Sequence, residues 1–402
     1  MSSHRLCGFA LALCGVAGPA ACGDPLTSCE QSVLPTCDAR EADCQRALHE
    51  HVACARGVAA GEDVPTFSFL TPAEFAARYD VSTSLPAEMV QCLEIMELWP
   101  LGPVNDPLDA TAVFDPDFRA VVVADDAAVS SILGPVVQAQ RDAELGGFAA
   151  WRLEHGATFD QASALDALFA GEGRLFGDVA AFKTTPRDDA ALRELVDTRL
   201  EDYDDAVRDL YAYARSDSYN LPQVDRHFPA IGARFALKTY LAQQPGALEE
   251  AYARPVRSGA ELIRGRLTDT PPVEPQATAT VPSSYTLRET ERLGAWAYYS
   301  LLARLDPPPP PQPYEEVNDV EPQRFADVAG RWAGDRFDCY ADAISGTPLV
   351  VWDLAFDPTV ELGPFQITES TLATWRWVER EDSLTLVVGL DQAVVQSIVD
   401  GL

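Results

Sequence analysis

Phe114 to Phe148 reads FDPDFRAVVVADDAAVSSILGPVVQAQRDAELGGF, and three changes of pattern within it decide the fold. Asp115-Pro116-Asp117 has the chemistry of a tight turn, because proline presets φ and aspartate bonds its own backbone. Short strand-like runs flank that turn. The pattern then changes to helical spacing, which continues well beyond Phe148. On that helix Val137 and Arg141 stand four residues apart on one face, with Gln138 beside Val137. Strand, turn, strand and helix in this order predict an α+β fold in which a short strand pair delivers the chain into a helix.

The composition sets limits around this segment. With 402 residues the chain is long enough for one large domain or two ordinary ones. Its 47% hydrophobic content is that of a globular protein. Thirty basic residues against 62 acidic ones give a net charge of −32. Such a surface repels nucleic acid and anionic lipid, so nucleic-acid binding is excluded. The charge suits solubility of an exposed protein, and cationic peptides or divalent ions are what it would attract.

The first residues read as an export signal. His4 and Arg5 precede an apolar run from Leu6 to Ala17, followed by Gly18-Pro19-Ala20-Ala21 and then Cys22. The run is too short to span a bilayer, which takes about 20 residues. Two processing sites fit: a lipobox-like cut before Cys22, which would then be acylated, or an ordinary cut near Ala20 or Ala21. Pro19 departs from the usual lipobox leucine. Cysteine arithmetic favours the first site. Beyond the signal and Cys22 remain Cys29, Cys37, Cys44, Cys54, Cys92 and Cys339, an even set able to pair fully in an oxidising compartment. The expectation is an exported, lipid-anchored envelope protein on the periplasmic or outer-membrane face, or a secreted one if the anchor is absent.

Five segments follow from composition: a signal at 1–21, a cysteine-rich anchor region at 22–63, a helical domain at 64–306, a proline-rich linker at 307–324 and a C-terminal α+β unit at 325–402. The anchor spacing C-x7-C-x6-C-x9-C lacks the close pairs of a zinc ribbon and reads as a disulfide-stapled helical piece. Cys92 and Cys339 could join early and late parts of the main domain, although spacing alone leaves the pairing open. Helices are expected from Thr71-Pro72 to near Tyr79, from Pro86 to Leu98, over residues 192–215, from Phe228 to Tyr252 and from Leu287 to Leu305. Ser284 or Thr286 would cap the last of these ahead of Glu289. Pro307 to Pro311 with Pro313 forms a stiff spacer. Beyond it CYADAI, PLVVWDLAF, TWRWVERE and LTLVVGL read as strands, with a helix before Thr374 and another from Asp391. Within TWRWVERE, Trp375 and Trp377 share one strand face and read as core.

Five stretches in one order carry a resemblance. They are Val113-Phe114-Asp115-Pro116, Val137 to Phe148, Ala167 to Gly173, Phe228 to Phe235 and Gly330 to Phe337. Together they resemble bacterial exported HExxH metallopeptidase-like proteins of the zincin class, over roughly Val64 to Leu402. The resemblance implies a zincin-like, predominantly helical domain. It places Val137 and Arg141 at the two zinc-binding histidines, Gln138 at the general-base glutamate and Ala170 at the acidic third ligand. None can do that work: valine has no lone pair to donate, glutamine is a poor base, and the arginine cation repels a dication. Glu172, about 200° around the helix from Ala170, is expected to face away. No histidine lies between His51 and His155 to restore the site by realignment. Pro116, Gly171, Gly232, Trp332, Gly334 and Asp335, whose roles would be structural, are retained. The resemblance thus implies an inactive relative, with no metal or other cofactor.

Other chemistry is weaker. His49-Glu50-His51 lies in a helical stretch, where i and i+2 rings diverge and a solvated face is expected. His155 suits a helix end and His227 a helix entry. Paired acids such as Asp125-Asp126 and Asp188-Asp189 are inevitable among 62 acids. No calcium loop, G-x-S-x-G elbow or P-loop occurs. The expected role is binding or scaffolding, with a peptide or an envelope protein as partner and the membrane reached only through the lipid anchor. An active hydrolase with an unrecognised acidic site and a purely structural lipoprotein are the alternatives. In cells fed a labelled fatty acid the full-length chain should carry label, and Cys22→Ala should abolish it. Label persisting in that variant would remove the anchor.

Overall fold

The short sheet is built around β3 (Ala120–Ala124), five residues buried on both faces. The computed structural model describes residues 29–79, 87–98, 110–199, 202–203, 224–243, 245–277, 279–305, 330–357, 372–380 and 382–402. The signal segment, Cys22, the proline-rich linker, most of the helix read beyond Asp197 and the helix read before Thr374 lie outside these residues. β2 (Ala112–Asp115) pairs antiparallel with β3 in the register Phe114 to Val121. The turn between them is held by the Asp115 carboxylate, which accepts the backbone N–H of Asp117 and Phe118. A third strand, β1 (Thr66–Leu70), runs parallel on the other side of β3. The sequence reading expected only the strand pair. The missed signal was the alternation in TFSFL, which turns Phe67 and Phe69 toward the main core. A parallel pair needs a long crossover. Here it contains α1 (Pro72–Tyr79) and α2 (Ala87–Ile95). Thr71 and Glu74 form a reciprocal capping box at the start of α1.

β3 leads into α3 (Val129–Glu144), and α4 (Phe148–His155) and α5 (Phe159–Phe182) follow. α5 runs through the centre of the helical part, buried on most of its surface. It crosses α3 on one side and α6 (Val224–Leu241) on another, and backbone approaches backbone at both crossings. A Cβ on Gly173 would sit 2.8 Å from Gln138 Cγ, and one on Gly177 2.9 Å from the Gly134 nitrogen. A Cβ on Gly171 would overlap the Gly232 backbone, and one on Gly232 the carbonyl of Ala167. A side chain at Gly171, Gly177 or Gly232 would drive the helices apart, whereas one at Gly173 would first displace the Gln138 side chain.

The anchor region packs on this bundle through α7 (Ala42–Arg56), stapled by disulfides Cys29–Cys54 and Cys37–Cys44. His49 and His51 are on this helix as expected, but the solvated face is a correction: they are only 4% and 2% exposed. Each ring finds buried partners instead. The Nε2 of His51 bonds the Ala180 carbonyl and its Nδ1 bonds the Ser32 hydroxyl, which fastens the anchor region to α5.

Five antiparallel strands form the second sheet, in the order β4 (Tyr285–Glu291), β5 (Trp332–Asp342), β6 (Pro348–Phe356), β8 (Ser383–Gly389) and β7 (Thr374–Glu379). β4 corrects the reading of a capped helix from Leu287. YTLRETE is an edge strand, and its helix, α8 (Gly294–Leu305), begins only after it. Alternating threonine, arginine and glutamate suit a half-exposed edge, and pairing with β5 overrides the helical spacing. Because β4 precedes the proline-rich run, the sheet spans both segments that the sequence reading separates at 306. Trp375 is buried and Trp377 packs against the core on the same strand, and α9 (Gln392–Val399) ends the chain with Asp391 as its cap.

Buried acids join the two parts. The Asp335 carboxylate accepts four N–H groups, from the backbone of Leu293 and Gly294 and the indoles of Trp332 and Trp352. Burial still pushes its pKa up to about 6. Asp160, bonded to the N–H of Gly259, is raised well above the ordinary range by burial and by the Asp335 charge. Gly294 has φ +85°, and a side chain there would strike Asp160.

The mixed α+β architecture follows, with one apolar core continuous from α7 to the sheet. No helix among the described residues is long and apolar enough to cross a membrane. A third disulfide, Cys92–Cys339, ties α2 to β5 across 247 residues. Replacing both cysteines with alanine should cost about 2–5 kcal/mol in urea denaturation, since it frees so long a loop in the unfolded chain. Unchanged stability would show that this bridge constrains little.

Candidate functional site

The C-terminal half of α3 carries Val137, Gln138 and Arg141, and α5 carries Ala170. Val137 is wholly buried among apolar neighbours, and Gln138 is half-buried over Gly173 of α5. Ala170 is half-buried, and it lines neither of the two cavities described below. Val137 and Gln138 line neither of these two cavities either. Arg141 is where polar chemistry gathers.

The Arg141 side chain is 4% exposed. Its Nε and Nη2 donate to the two oxygens of Glu172 at 2.9 and 2.8 Å. Its Nη1 and Nη2 donate to Glu249 at 2.9 and 2.8 Å. Glu144, one turn on, lies 2.8 Å from Nη1, and the Tyr252 ring covers the guanidinium with its centroid 4.3 Å away. Glu249 and Tyr252 come from a short helix, α10 (Pro245–Ala253). Glu172, about 200° around α5 from Ala170, is the residue of that helix that reaches Arg141. Gly173 and Gly177 set which side of α5 meets α3, and Glu172 lies on the border of that side. With Phe176, one turn on, it lines a cavity of about 370 Å³ beside Arg141.

Arg56, from the end of α7, completes the network. It donates to Glu144 at 2.8 and 2.9 Å, to Gln140 at 3.2 Å and to Glu172 at 3.3 Å. Two buried cations thus meet Glu144, Glu172 and Glu249. Burial opposes the charge on Arg141, but the bonds to Glu249 and Glu172 outweigh it and raise its pKa. The bond to Arg141 likewise lowers the pKa of Glu249. Gln140 extends the chain of bonds by donating to Nδ1 and to the carbonyl of His49, whose Nε2 faces the Gly61 carbonyl. Burial lowers the His49 pKa, and a neutral ring fits this pattern of one donor and one acceptor. His49 opens on a second cavity, of about 510 Å³, with Phe114, Phe118 and Arg119 on its walls.

The residues present do not fit a zinc ion. Val137, Arg141 and Ala170, which the resemblance sets at ligand positions, supply an alkyl group, a cation and a methyl group, and Gln138, set at the general base, supplies an amide; none is a thiolate, imidazole or carboxylate donor. Among the described residues no three His, Cys, Asp or Glu groups are arranged to hold a metal. His49 and His51 diverge, as helical spacing requires. His155 ends α4 with its ring 5.1 Å from Trp151, and the side chain of His227 lies outside the described residues. Of the acid pairs, Asp125 binds Arg40 and Asp188 caps the helix Asp189–Asp197.

Sequence reasoning missed Arg56 and Glu249, which reach Arg141's network from 85 residues before and 108 residues after it. Nothing local to either marks it as a partner. No protein-family model, curated protein or solved structure compared with this chain matches it.

Replacing Arg141 with methionine leaves Glu172 buried with a weakened partner set and should cost about 3–5 kcal/mol in urea denaturation. Arg141→Met with Glu172→Met together removes both charges and should recover most of that loss. A double variant as unstable as the single one would show that packing, and not unpaired charge, sets the cost.

Proposed function

We propose that this chain is an exported, lipid-anchored envelope protein derived from a zincin-type metallopeptidase, without metal or peptidase activity, acting by binding a peptide. The observation that carries this reading is the fate of position 141. There a zincin of this layout holds its second histidine, whereas this chain has an arginine fully engaged by Glu172, Glu249 and Glu144. The strand–turn–strand–helix order around Asp115 and the glycine-lined crossing of α3 with α5 are the scaffold such an ancestry would leave. Three disulfides suit an oxidising compartment outside the cytoplasm. What such a relative retains is the cleft beside the helix, and the cavities flanking Arg56 are of a size that takes small ligands or chain ends.

Elemental analysis of the purified protein, with a broad peptidase screen, tests the reading. Neither bound zinc nor cleavage is expected, and stoichiometric zinc or chelator-sensitive cleavage would overturn it. Conversely, Val137→His, Gln138→Glu, Arg141→His and Ala170→Glu combined should create zinc affinity measurable by titration calorimetry. A folded quadruple variant that binds no zinc would count against the proposed register.

A further inference from the structure

The two carboxylates that clamp Arg141 are not equivalent. Glu172, on the inner edge of the guanidinium, has a side chain only 1% exposed, whereas Glu249, on the outer edge, is 58% exposed. Glu172 cannot leave without stranding a charge in the core, at a cost of several kcal/mol. Glu249 can rotate into water, where its carboxylate is fully solvated, and the fork it vacates faces the 370 Å³ cavity.

We propose that this cavity receives the C-terminal carboxylate of a peptide, with Glu249 holding its place on Arg141 until the ligand arrives. The proposal rests on the peptide-binding role above and not on the zincin ancestry. An incoming carboxylate would take over the two N–H···O bonds that Glu249 now makes, a geometry a planar guanidinium favours. The exchange leaves the charge balance around Arg141 unchanged, because one monoanion replaces another. A phosphate dianion would add charge to a cluster in which three carboxylates already face two arginines. Beyond the fork the walls combine Phe176, Leu192 and Leu248 with Arg193 and Gln243. One apolar terminal side chain flanked by amide groups suits that mixture better than a long acyl chain.

The test uses the full chain and an N-acetylated tetrapeptide ending in leucine, as the free acid and as the C-terminal amide, with octanoate as a third probe. Calorimetry of Glu249→Gln should show the free acid binding about tenfold tighter than to the native chain, with the amide binding to neither. Arg141→Gln combined with Glu172→Gln, which removes the buried charges as a pair, should abolish binding while circular dichroism remains native. Equal affinity for acid and amide, or no gain in Glu249→Gln, would overturn the proposal. So would octanoate binding in place of the peptide, which would identify the carboxylate as that of a fatty acid. None of these results depends on zinc content or cleavage, so failure here leaves the ancestry standing.

Discussion

Backbone-to-backbone contact between three helices is the constraint on which the rest of the helical part depends. Where α5 crosses α3, the facing residues are Gly134, Gly173 and Gly177, and where it crosses α6 they are Gly171 and Gly232. Side chains cannot fill these crossings, so the larger groups are displaced to their borders. Glu172 lies at such a border, as does Arg141 on the opposing helix. Their pairing follows from how closely the helices approach. The same approach explains why α5 is buried around most of its circumference, since helices that touch this closely exclude water from the seam between them.

An ion cluster at this position ties separate elements together much as a metal would. Arg141 joins α3 to α5 and α10, and Arg56 brings in α7 from the disulfide-stapled region. The two kinds of centre differ in their tolerance. A metal site requires every ligand. An arginine fork loses one exposed carboxylate at little cost, provided that the buried partner stays. Positional specificity here comes from Glu172, and adaptability from Glu249.

The fold was legible in the sequence where the pattern is local. The aspartate-proline turn, the helix after it, the capped helix at Thr71-Pro72 and the tryptophan strand Thr374–Glu379 all follow from spacing and turn chemistry. It was not legible where a distant partner decides. YTLRETE has helix-compatible spacing, yet it becomes a strand because β5 offers an edge. His49 and His51 read as surface groups because the chain that covers them lies before and after the helix, at Ser32, Gly61 and Ala180. At the candidate site the position of Arg141 was found and the consequence of its charge was not. Its partners lie 31 and 108 residues away, and the side of α5 that presents Glu172 is set by glycines, which carry no polarity signal.

The Cys92–Cys339 link has a consequence for how the protein is made. Its second cysteine follows the first by 247 residues, so the covalent frame cannot close until all of that intervening chain has been made. Until then the cysteine of α2 remains a free thiol able to pair with Cys29, Cys37, Cys44 or Cys54, all of which emerge earlier. The two bridges of the anchor region close over 7 and 25 residues, against 38 to 63 for any bond from Cys92 to those cysteines, so loop closure favours them. The close cysteine spacing of the anchor region thus biases pairing toward leaving Cys92 for Cys339, the bond of longest reach among the three.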